Sequence, residues 1–454
     1  MGIEIIPIGG YSKIEGNSVA VKVDDDVVIL DLGLTMDNFV EYQNRNSNNS
    51  INYKTPKLNY SKLRKVDAVP DIFKITDLFS KVKAVIPSHA HLDHVGAVTY
   101  AMKYFKNTPV VGTPFTIGYL KKHIRDEEYS KKFKSNNNPL ITVKLNSKYI
   151  VSEKITVEFI HVTHSIPDSA ILAIHTPYGI VLYAVDYKFD DFPQVGKPPN
   201  YKRLEVLGKQ GIKCLILESL YADYDIETPS EKDVKRLLIN TLNELNIVGR
   251  NIFLSTFSSH LARLKTLIET GVSLNRKVYL VGRSLKMYTS IAERLKIVDF
   301  KEKCTVLTKK QEIEGLLINA SRNKGDYFII CTGHQGEPFS VLSRIADRVF
   351  SKTFNNKDIV LFSSSVIPTK TNEESFKILE NKLTELKVEI IKNIHASGHA
   401  GLKDHEKMLK LVNPEYVIPA HAGIEKTKYL KELCERLKIG KAILVSNGDR
   451  IHLE

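Results

Sequence analysis

The first part of the chain alternates apolar and polar positions and then becomes continuously apolar. Residues 18–23 alternate, residues 27–30 are all apolar, and turn-forming residues stand at 9–10 and 24–26. A period of two is typical of strands that bury one face, so we predict paired strands here. The polar, asparagine-rich residues 43–50 predict an exposed loop of low order.

A short apolar run at residues 82–86 predicts a buried strand, and the apolar spacing over residues 95–102 predicts a helix after it. A histidine-rich turn stands between the two. Further strands are predicted at residues 155–162, 170–175 and 180–184. The local order in this part of the chain is therefore strand, polar turn and helix, followed by more strands.

Strands and helices alternate from about residue 220 onward. Ser230 and Asp233 have the spacing of a helix cap, and residues 261–268 predict a further helix. Short apolar runs predict strands at residues 251–254, 277–281, 327–331 and 359–362. Repeated βα units are typical of a parallel, doubly wound sheet, so we predict an α/β fold.

The length of 454 residues suits two hydrophobic cores, including the case of one domain inserted within another. No apolar run reaches the roughly 18 residues of a membrane span. The first residues also lack the pattern of a secretory signal, so we expect a cytoplasmic protein without membrane association. Four single, widely spaced cysteines indicate reduced thiols rather than a redox pair or a structural zinc site: Cys214, Cys304, Cys331 and Cys434.

Lysine and arginine together number 65 against 52 aspartates and glutamates, which gives a net charge of +13. A basic surface attracts polyanions such as nucleic acids at long range. A lysine-rich solvated surface without such a partner accounts for the charge equally well. Composition alone leaves both interpretations open.

The histidine-rich turn carries four good metal ligands within six residues: His89, His91, Asp93 and His94. A turn directly after a strand lets side chains at this spacing converge, and imidazoles with carboxylates are ligands that zinc prefers. His164 and Asp186 also follow predicted strands. Taken singly, each is more often a capped turn residue, but after such a turn both become candidate metal ligands.

This series of motifs, with Asp31 before the turn and His164 and Asp186 after it, resembles that of the metallo-β-lactamase-fold hydrolases. The resemblance implies a site for two zinc ions, or for manganese or magnesium in their place. It implies one ion held by His89, His91 and His164, another held by Asp93, His94 and His421, and Asp186 as the bridge between them. Asp31 is implied to orient the ligand turn from behind.

The implied role of His421 determines the domain organisation, because this residue lies far beyond the βα region. We therefore expect residues 1–219 and 391–454 to form the two parts of a metallo-β-lactamase αββα sandwich. Residues 220–390 are then an inserted domain with a doubly wound parallel sheet.

Six further segments resemble ribonuclease J of the β-CASP branch of this superfamily, in the same order along the chain: residues 164–169, 281–284, 332–338, 342–346, 363–368 and 395–400. The resemblance makes the insertion a β-CASP domain and places the motifs of the branch at Glu218, His399 and His421. A histidine at the last position resembles the RNA-directed members rather than the DNA-repair members. The implied partner is single-stranded RNA.

By this resemblance Asp186, Glu218 and His399 are catalytic, with His399 near the scissile phosphate as general acid or transition-state stabiliser. A pocket for a 5′-monophosphate is implied at Ser363, Ser364, Ser365, Ser397, Gly398, His399 and Ala400. Free backbone N–H groups at the start of the following helix are expected to contribute to it. Such a pocket at a fixed distance from the metal implies a 5′→3′ exoribonuclease of RNA turnover and maturation, with some endonuclease capacity.

Three other functions are weighed against this one. An endonuclease of the mRNA 3′-end-processing type is disfavoured, because the ribonuclease J segments are present and no RNA-binding module precedes the first strands. A non-catalytic RNA-binding subunit is disfavoured, because every expected metal ligand is present. A small-molecule hydrolase is disfavoured by the inserted domain and the basic charge. We also expect a homodimer.

Overall fold

The computed structural model describes residues 2–47, 58–124 and 138–454. The strands in this part of the chain are β1 (Ile3–Gly9), β2 (Ser18–Val23), β3 (Asp26–Leu30), β4 (Val82–Ile86), β5 (Val110–Gly112), β6 (Leu140–Thr142), β7 (Ser147–Ile150), β8 (Thr156–His161), β9 (Ala170–Thr176), β10 (Gly179–Ala184), β11 (Ile212–Glu218), β12 (Ile252–Ser255), β13 (Lys277–Val281), β14 (Thr305–Leu307), β15 (Tyr327–Cys331), β16 (Ile359–Phe362), β17 (Glu389–Ile391), β18 (Tyr416–Ala420), β19 (Lys441–Ala442) and β20 (Ile451–Leu453).

The α-helices in the same residues are α1 (Met36–Ser47), α2 (Tyr60–Lys65), α3 (Leu92–Val95), α4 (Val98–Ala101), α5 (Pro114–His123), α6 (Tyr201–Gln210), α7 (Glu231–Glu244), α8 (Leu261–Ser273), α9 (Arg283–Arg294), α10 (Lys310–Arg322), α11 (Val341–Ala346), α12 (Lys370–Glu385), α13 (Leu402–Val412) and α14 (Ile424–Leu437). Two 3₁₀ helices cover Ile72–Lys81 and Met102–Tyr104.

Two seven-stranded sheets pack face to face. The first has the strand order β20-β1-β2-β3-β4-β5-β6 and the second the order β19-β18-β11-β10-β9-β8-β7. Apolar side chains of both sheets, such as Val28 of β3 and Phe159 of β8, form the core between them. Helices cover the two outer faces, α2 and α5 on the first sheet and α6, α13 and α14 on the second. This arrangement is the predicted αββα sandwich of the metallo-β-lactamase fold.

The third sheet is built only from strands between β11 and β18. Its order is β14-β13-β15-β12-β16-β17, and every neighbouring pair is parallel. Helices α8 and α9 pack on one face and helices α10 and α12 on the other. Since β18 returns to the second sheet beside β11, the doubly wound region interrupts the sandwich. We propose the boundaries at residues 219/220 and 390/391, although β17 ends one residue beyond the second of them.

Most predicted elements agree with the structure, and the strands predicted at β4, β13, β15 and β16 match to the residue. The predicted cap of α7 is present, with Ser230 and Asp233 forming a capping box. The loop expected at residues 43–50 is wrong for residues 43–47, which end helix α1; the other residues lie outside the described part of the chain.

The helix predicted over residues 95–102 is interrupted in the structure. The N–H of Ala97 donates to the Leu32 carbonyl at 2.8 Å instead of continuing the helix, and Leu32 N–H donates to the His94 carbonyl at 2.8 Å. The segment after β3 therefore hydrogen-bonds to the turn and separates α3 from α4. Gly33 permits this approach, since a Cβ there would lie 1.6 Å from the Asp93 carbonyl oxygen.

No helix in the described residues is long and apolar enough to cross a membrane. The four cysteines are all free, as expected: Cys214, Cys304, Cys331 and Cys434.

Candidate metal centre

All the predicted metal ligands follow the carboxyl ends of strands that meet at one edge of the sandwich. The histidine-rich turn follows β4 of the first sheet, whereas His164, Asp186 and His421 follow β8, β10 and β18 of the second. Asp31, Asp186 and His421 have positive φ angles of 58°, 54° and 58°. Aspartate and histidine tolerate this left-handed conformation better than most residues. It turns the chain sharply at the strand ends.

Three imidazoles and one carboxylate oxygen converge into a first donor group, made of His89, His91, His164 and Asp186 Oδ2. His91 Nδ1 lies 3.1 Å from His89 Nε2 and 3.0 Å from His164 Nε2. Asp186 Oδ2 lies 3.5 Å from His89 Nε2 and 3.4 Å from His164 Nε2. The sequence predicted these four residues as the surroundings of one ion.

The other oxygen of Asp186 belongs to a second donor group, made of Asp93, His94, His421 and Asp186 Oδ1. His94 Nε2 lies 3.1 Å from Asp186 Oδ1 and 3.3 Å from Asp93 Oδ2. His421 Nε2 lies 3.5 Å from Asp186 Oδ1. Asp186 thus faces one donor group with each oxygen, which is the geometry that a bridging carboxylate needs.

The donors fit a pair of zinc ions. Buried Asp186 Oδ1 has no hydrogen-bond partner in the described structure, although two imidazole nitrogens face it. Burial lowers the pKa of His91 and of His164 well below the usual histidine value, which keeps both rings neutral and their lone pairs available. Imidazole nitrogens with a few carboxylate oxygens are the ligand set of zinc rather than of calcium or magnesium.

Asp31 supports the second donor group from beneath. Its carboxylate accepts hydrogen bonds from the Ser88 N–H at 2.6 Å and from the Tyr183 hydroxyl at 2.8 Å, and it lies 2.7 Å from His94 Nδ1. A carboxylate behind a ligating histidine fixes which ring nitrogen carries the proton. The sequence predicted Asp31 in this place. It gave no signal for Ser88 or Tyr183, which reach Asp31 only through tertiary packing.

His399 and Glu218 form a pair beside the two donor groups, in which Glu218 is fully buried and His399 is partly exposed. His399 Nδ1 lies 2.7 Å from Glu218 Oε2, and His399 Nε2 points toward Asp186 Oδ2 at 3.9 Å. Burial alone would lower the pKa of His399, but Glu218 and Asp186 outweigh this effect and raise the pKa to about 9. The other oxygen of Glu218 accepts from the N–H groups of Tyr187 and Ala400, at 3.0 and 3.2 Å.

The three serines predicted to bind phosphate differ in their surroundings. Ser363 is fully buried, and its hydroxyl donates to the Ile394 carbonyl at 2.8 Å, so this hydroxyl serves the fold. Ser364 is 7% exposed and its hydroxyl has no hydrogen-bond partner in the described structure. Ser365 is exposed, and its carbonyl accepts from the Gln335 amide at 3.0 Å. Of the three hydroxyls, that of Ser364 is best placed for a ligand.

The expectation of free N–H groups at the start of the helix after residue 400 is wrong. Gly401 N–H donates to Thr228 Oγ1 and to Asp404 Oδ2, each at 3.0 Å. Ala400 N–H donates to Glu218, and His399 N–H donates to Ser397 Oγ at 3.0 Å. The glycine and small residues before α13 suggested an open anion site. Instead, oxygen atoms of the chain itself accept hydrogen bonds from these N–H groups.

Sequence reasoning missed two contacts that reach the first donor group from outside the sandwich strands. Ser259 follows β12 of the third sheet, and its hydroxyl lies 3.1 Å from His91 Nε2. The carbonyl oxygen of Gly398 lies 2.6 Å from His164 Nδ1. The position of Ser259 directly after a parallel strand was the one sequence feature that could have indicated it, since the carboxyl ends of such strands commonly face ligands. A cavity of about 450 Å³ adjoins His164 between the sandwich and the third sheet.

Comparisons with known protein families cover most of the chain. Residues 13–180 match the metallo-β-lactamase superfamily, residues 249–383 match the family described as "Ribonuclease J, beta-CASP domain", and residues 384–445 match the "Zn-dependent metallo-hydrolase RNA specificity domain".

Two archaeal relatives that align with nearly all of this chain are both named ribonuclease J. Ribonuclease J of Pyrococcus abyssi is 38% identical over 451 residues, which cover 99% of this chain and 96% of that protein. Ribonuclease J of Methanocaldococcus jannaschii is 37% identical over 459 residues, which cover 100% of this chain and 99% of that protein. A crystal structure of a protein of unknown function from Enterococcus faecalis V583 covers both chains fully, with a TM-score of 0.66 and 19% identity, and shows the same fold.

Proposed function

The chain belongs to the ribonuclease J family, and from that premise we propose that it hydrolyses phosphodiester bonds of single-stranded RNA with two zinc ions. We further propose that it removes nucleotides from the 5′ end of 5′-monophosphorylated RNA, with some internal cleavage, in RNA turnover and maturation. The observation that carries this proposal is Asp186, whose two oxygens face two separate donor groups.

The two donor groups would hold the ions, with manganese or magnesium as alternatives. Zinc ions held there would supply an activated water near neutral pH and would stabilise the charge that develops in phosphoryl displacement. The chain's own residues orient that chemistry. Asp31 fixes the ring of His94, and Asp186 keeps the two groups at the separation of one carboxylate.

His399 is our candidate for protonating the ribose 3′-oxygen that leaves. Glu218 holds Nδ1 of His399 at 2.7 Å, which leaves Nε2 directed at the donor groups. The Glu218 carboxylate raises the pKa of this ring, which favours its protonated form. A general acid near the leaving group contributes roughly 10²- to 10⁴-fold to a rate.

Fewer hydroxyl and N–H groups are available to bind the 5′-phosphate than the sequence suggested. The Ser364 hydroxyl is buried and has no hydrogen-bond partner among the described residues, so it remains our candidate contact for the 5′-phosphate. The cavity beside His164 has about 450 Å³, a size that accepts a nucleotide. Ser364 is not among the residues that line this cavity. A phosphate contact that stops the RNA one nucleotide beyond the metal would produce mononucleotides.

An RNA of defined sequence, labelled on its 5′-terminal nucleotide and carrying a 5′-monophosphate, tests the proposal. We expect labelled mononucleotide from the first time points with zinc present, slower release from the same RNA with a 5′-hydroxyl, and little hydrolysis of the matching DNA. Internal fragments without early mononucleotide would contradict the exonuclease proposal and favour the 3′-end-processing type of activity.

The same assay tests His399. His399→Ala should lower kcat by about 10²- to 10⁴-fold while zinc content per chain stays unchanged. His452→Ala, which changes an exposed histidine of β20, is the control and should retain full activity. An unchanged kcat in His399→Ala would remove this residue from the mechanism.

Homodimer formation and a cytoplasmic location remain predictions, and each has a direct test. Homodimer formation is checked by light scattering of the purified protein, where the mass should be twice that of one chain. A cytoplasmic location is checked by fractionation of the source cells.

A further inference from the structure

We propose that Arg263 and Glu231, both in the inserted region, are positioning residues for the first donor group. They orient two of its histidines, so the first donor group depends on the inserted region for metal affinity and the second does not. This inference rests on the metal assignment made under the proposed function.

Arg263 is fully buried in the first turn of α8, and all three of its guanidinium nitrogens donate hydrogen bonds. Nε and Nη2 donate to the two oxygens of Glu231, each at 2.9 Å. Nη1 donates to the Ser363 carbonyl at 2.7 Å and to the Ile394 carbonyl at 3.2 Å, and Nη2 also reaches the Ala396 carbonyl at 3.3 Å. One side chain thus ties α7, the end of β16 and the returning segment at 394–396 together.

The returning segment leads directly to His164. Two residues after Ala396, the Gly398 carbonyl oxygen lies 2.6 Å from His164 Nδ1. A Cβ at Gly398 would come within 3.0 Å of the His164 ring, so the backbone packs against the imidazole itself. Since Arg263 fixes the carbonyl of Ala396, it limits where Gly398 can lie and therefore how the His164 ring is turned.

The second connection runs from Glu231 to His91. Glu231 Oε1 lies 3.3 Å from His260 Nε2, and His260 Nδ1 accepts from the Arg263 N–H at 3.3 Å. His260 is the neighbour of Ser259, whose hydroxyl lies 3.1 Å from His91 Nε2. Ser165 Oγ offers His91 Nε2 a longer contact of 3.4 Å.

The second donor group is supported from within the sandwich. Asp31, directly after β3, lies 2.7 Å from His94 Nδ1. The backbone N–H of His421 donates to the Gly10 carbonyl at 2.7 Å. Neither contact involves the inserted region. The hydrogen bond to the far nitrogen of a ligating histidine sets its tautomer and basicity, and its loss costs about 10- to 100-fold in metal affinity.

Zinc titration of the full chain against a chromogenic chelator measures both sites without using activity. Wild-type protein should bind two zinc ions per chain. Ser259→Ala removes only a hydroxyl, and Arg263→Lys keeps the charge but loses the forked hydrogen bonds. In each variant one of the two sites should weaken about 10- to 100-fold, and the other should bind as in wild type.

Two control variants identify the affected site. Arg203→Lys breaks a forked Arg–Glu pair on the outer face of the second sheet, with contacts of 2.6 and 2.8 Å to Glu158, and should leave both sites unchanged. His421→Ala removes a ligand that belongs to the second donor group and not to the first, so combining it with Ser259→Ala should weaken the site that remains.

Unchanged zinc binding in both Ser259→Ala and Arg263→Lys would overturn the inference and leave the proposed function standing. Equal weakening of both sites in Arg263→Lys, with Ser259→Ala unchanged, would also overturn it. A wild-type chain that binds no zinc would overturn the proposed function itself, and this inference with it.

Discussion

Two buried polar clusters lie side by side where the sandwich meets the third sheet. The charge of the buried carboxylates is balanced differently in each. The first consists of the two donor groups. The second, the Arg263 cluster, consists of Lys188, Asp190, Glu231, His260 and Arg263, whose side chains are all nearly inaccessible. Lys188 follows Asp186 by two residues, so one loop contributes to both clusters.

The Arg263 cluster contains its own cations. Burial alone would raise the pKa of Glu231, but Arg263, His260 and Lys188 outweigh it and hold the pKa well below its usual range. The donor groups offer mainly imidazoles, and Asp186 Oδ1 has no hydrogen bond within the described residues. A buried carboxylate needs a partner charge. One cluster takes that charge from arginine, whereas the other is arranged to take it from a metal ion.

Asp186→Asn is expected to give the largest effect, because it removes the carboxylate that both donor groups share. We expect ribonuclease activity to fall by at least ~10³-fold, equivalent to roughly 4 kcal/mol of transition-state stabilisation. Initial rates on 5′-monophosphorylated RNA measure this. Asp191→Asn is the control, since this exposed carboxylate in the same loop accepts a hydrogen bond from Tyr201 at 2.7 Å. Activity within tenfold of wild type in Asp186→Asn would remove the bridging role.

Arg263→Met should chiefly affect stability. It leaves the charge of Glu231 buried without its forked partner, and breaking a buried pair in this way costs about 3 to 5 kcal/mol of unfolding free energy. Urea denaturation of the zinc-free protein measures the loss. The double variant Glu231→Met with Arg263→Met should recover a large part of it, because neither charge is then left unpaired. A loss below about 1 kcal/mol in the single variant would show that the Arg263 cluster does not need its internal cation.

Features of the fold and of the site that depend on local sequence pattern were predictable. Strands β15 and β16 are continuous apolar runs, and β4 and β13 are apolar runs with one lysine each; such runs are visible without tertiary information. The metal ligands were also predictable, because four of them stand together in the histidine-rich turn, and this turn makes His164 and Asp186 at the ends of later strands candidate ligands as well. The family resemblance supplied His421, which is separated from the histidine-rich turn by the whole inserted region.

The unpredicted features all depend on contacts between distant segments. Arg263 reads in the sequence as an ordinary helical arginine, and only folding brings Ile394 and Glu231 to it. The expectation of free N–H groups at the start of α13 was wrong for the same reason, since Thr228, distant in sequence, accepts a hydrogen bond from the Gly401 N–H. Local pattern shows which groups are polar but not which distant partner satisfies them.

Glu158 and Arg203 provide the partly exposed counterpart of Glu231 and Arg263, and the smallest expected effect. Arg203 Nε and Nη2 contact the two oxygens of Glu158 at 2.6 and 2.8 Å, and the Arg203 side chain is 24% exposed. Burial alone would raise the pKa of Glu158, but hydrogen bonds from His175 and Arg203 outweigh it and lower the pKa from 4.5 to about 2. The forked geometry is the same as in the Arg263 cluster, but the Arg203 side chain is partly exposed whereas Arg263 is fully buried.

Because the folded-state pKa of Glu158 is depressed, its stabilising contribution is fully present above pH 4.5 and is lost as the pH falls toward about 2. Glu158→Gln should therefore reduce the unfolding free energy at pH 7 by about 1 kcal/mol, a value limited by solvent screening of the pair. Denaturation curves of both proteins between pH 7 and pH 3 should converge as acid is added. A loss as large as that of Arg263→Met would mean that the forked geometry, rather than burial, determines the strength of both pairs.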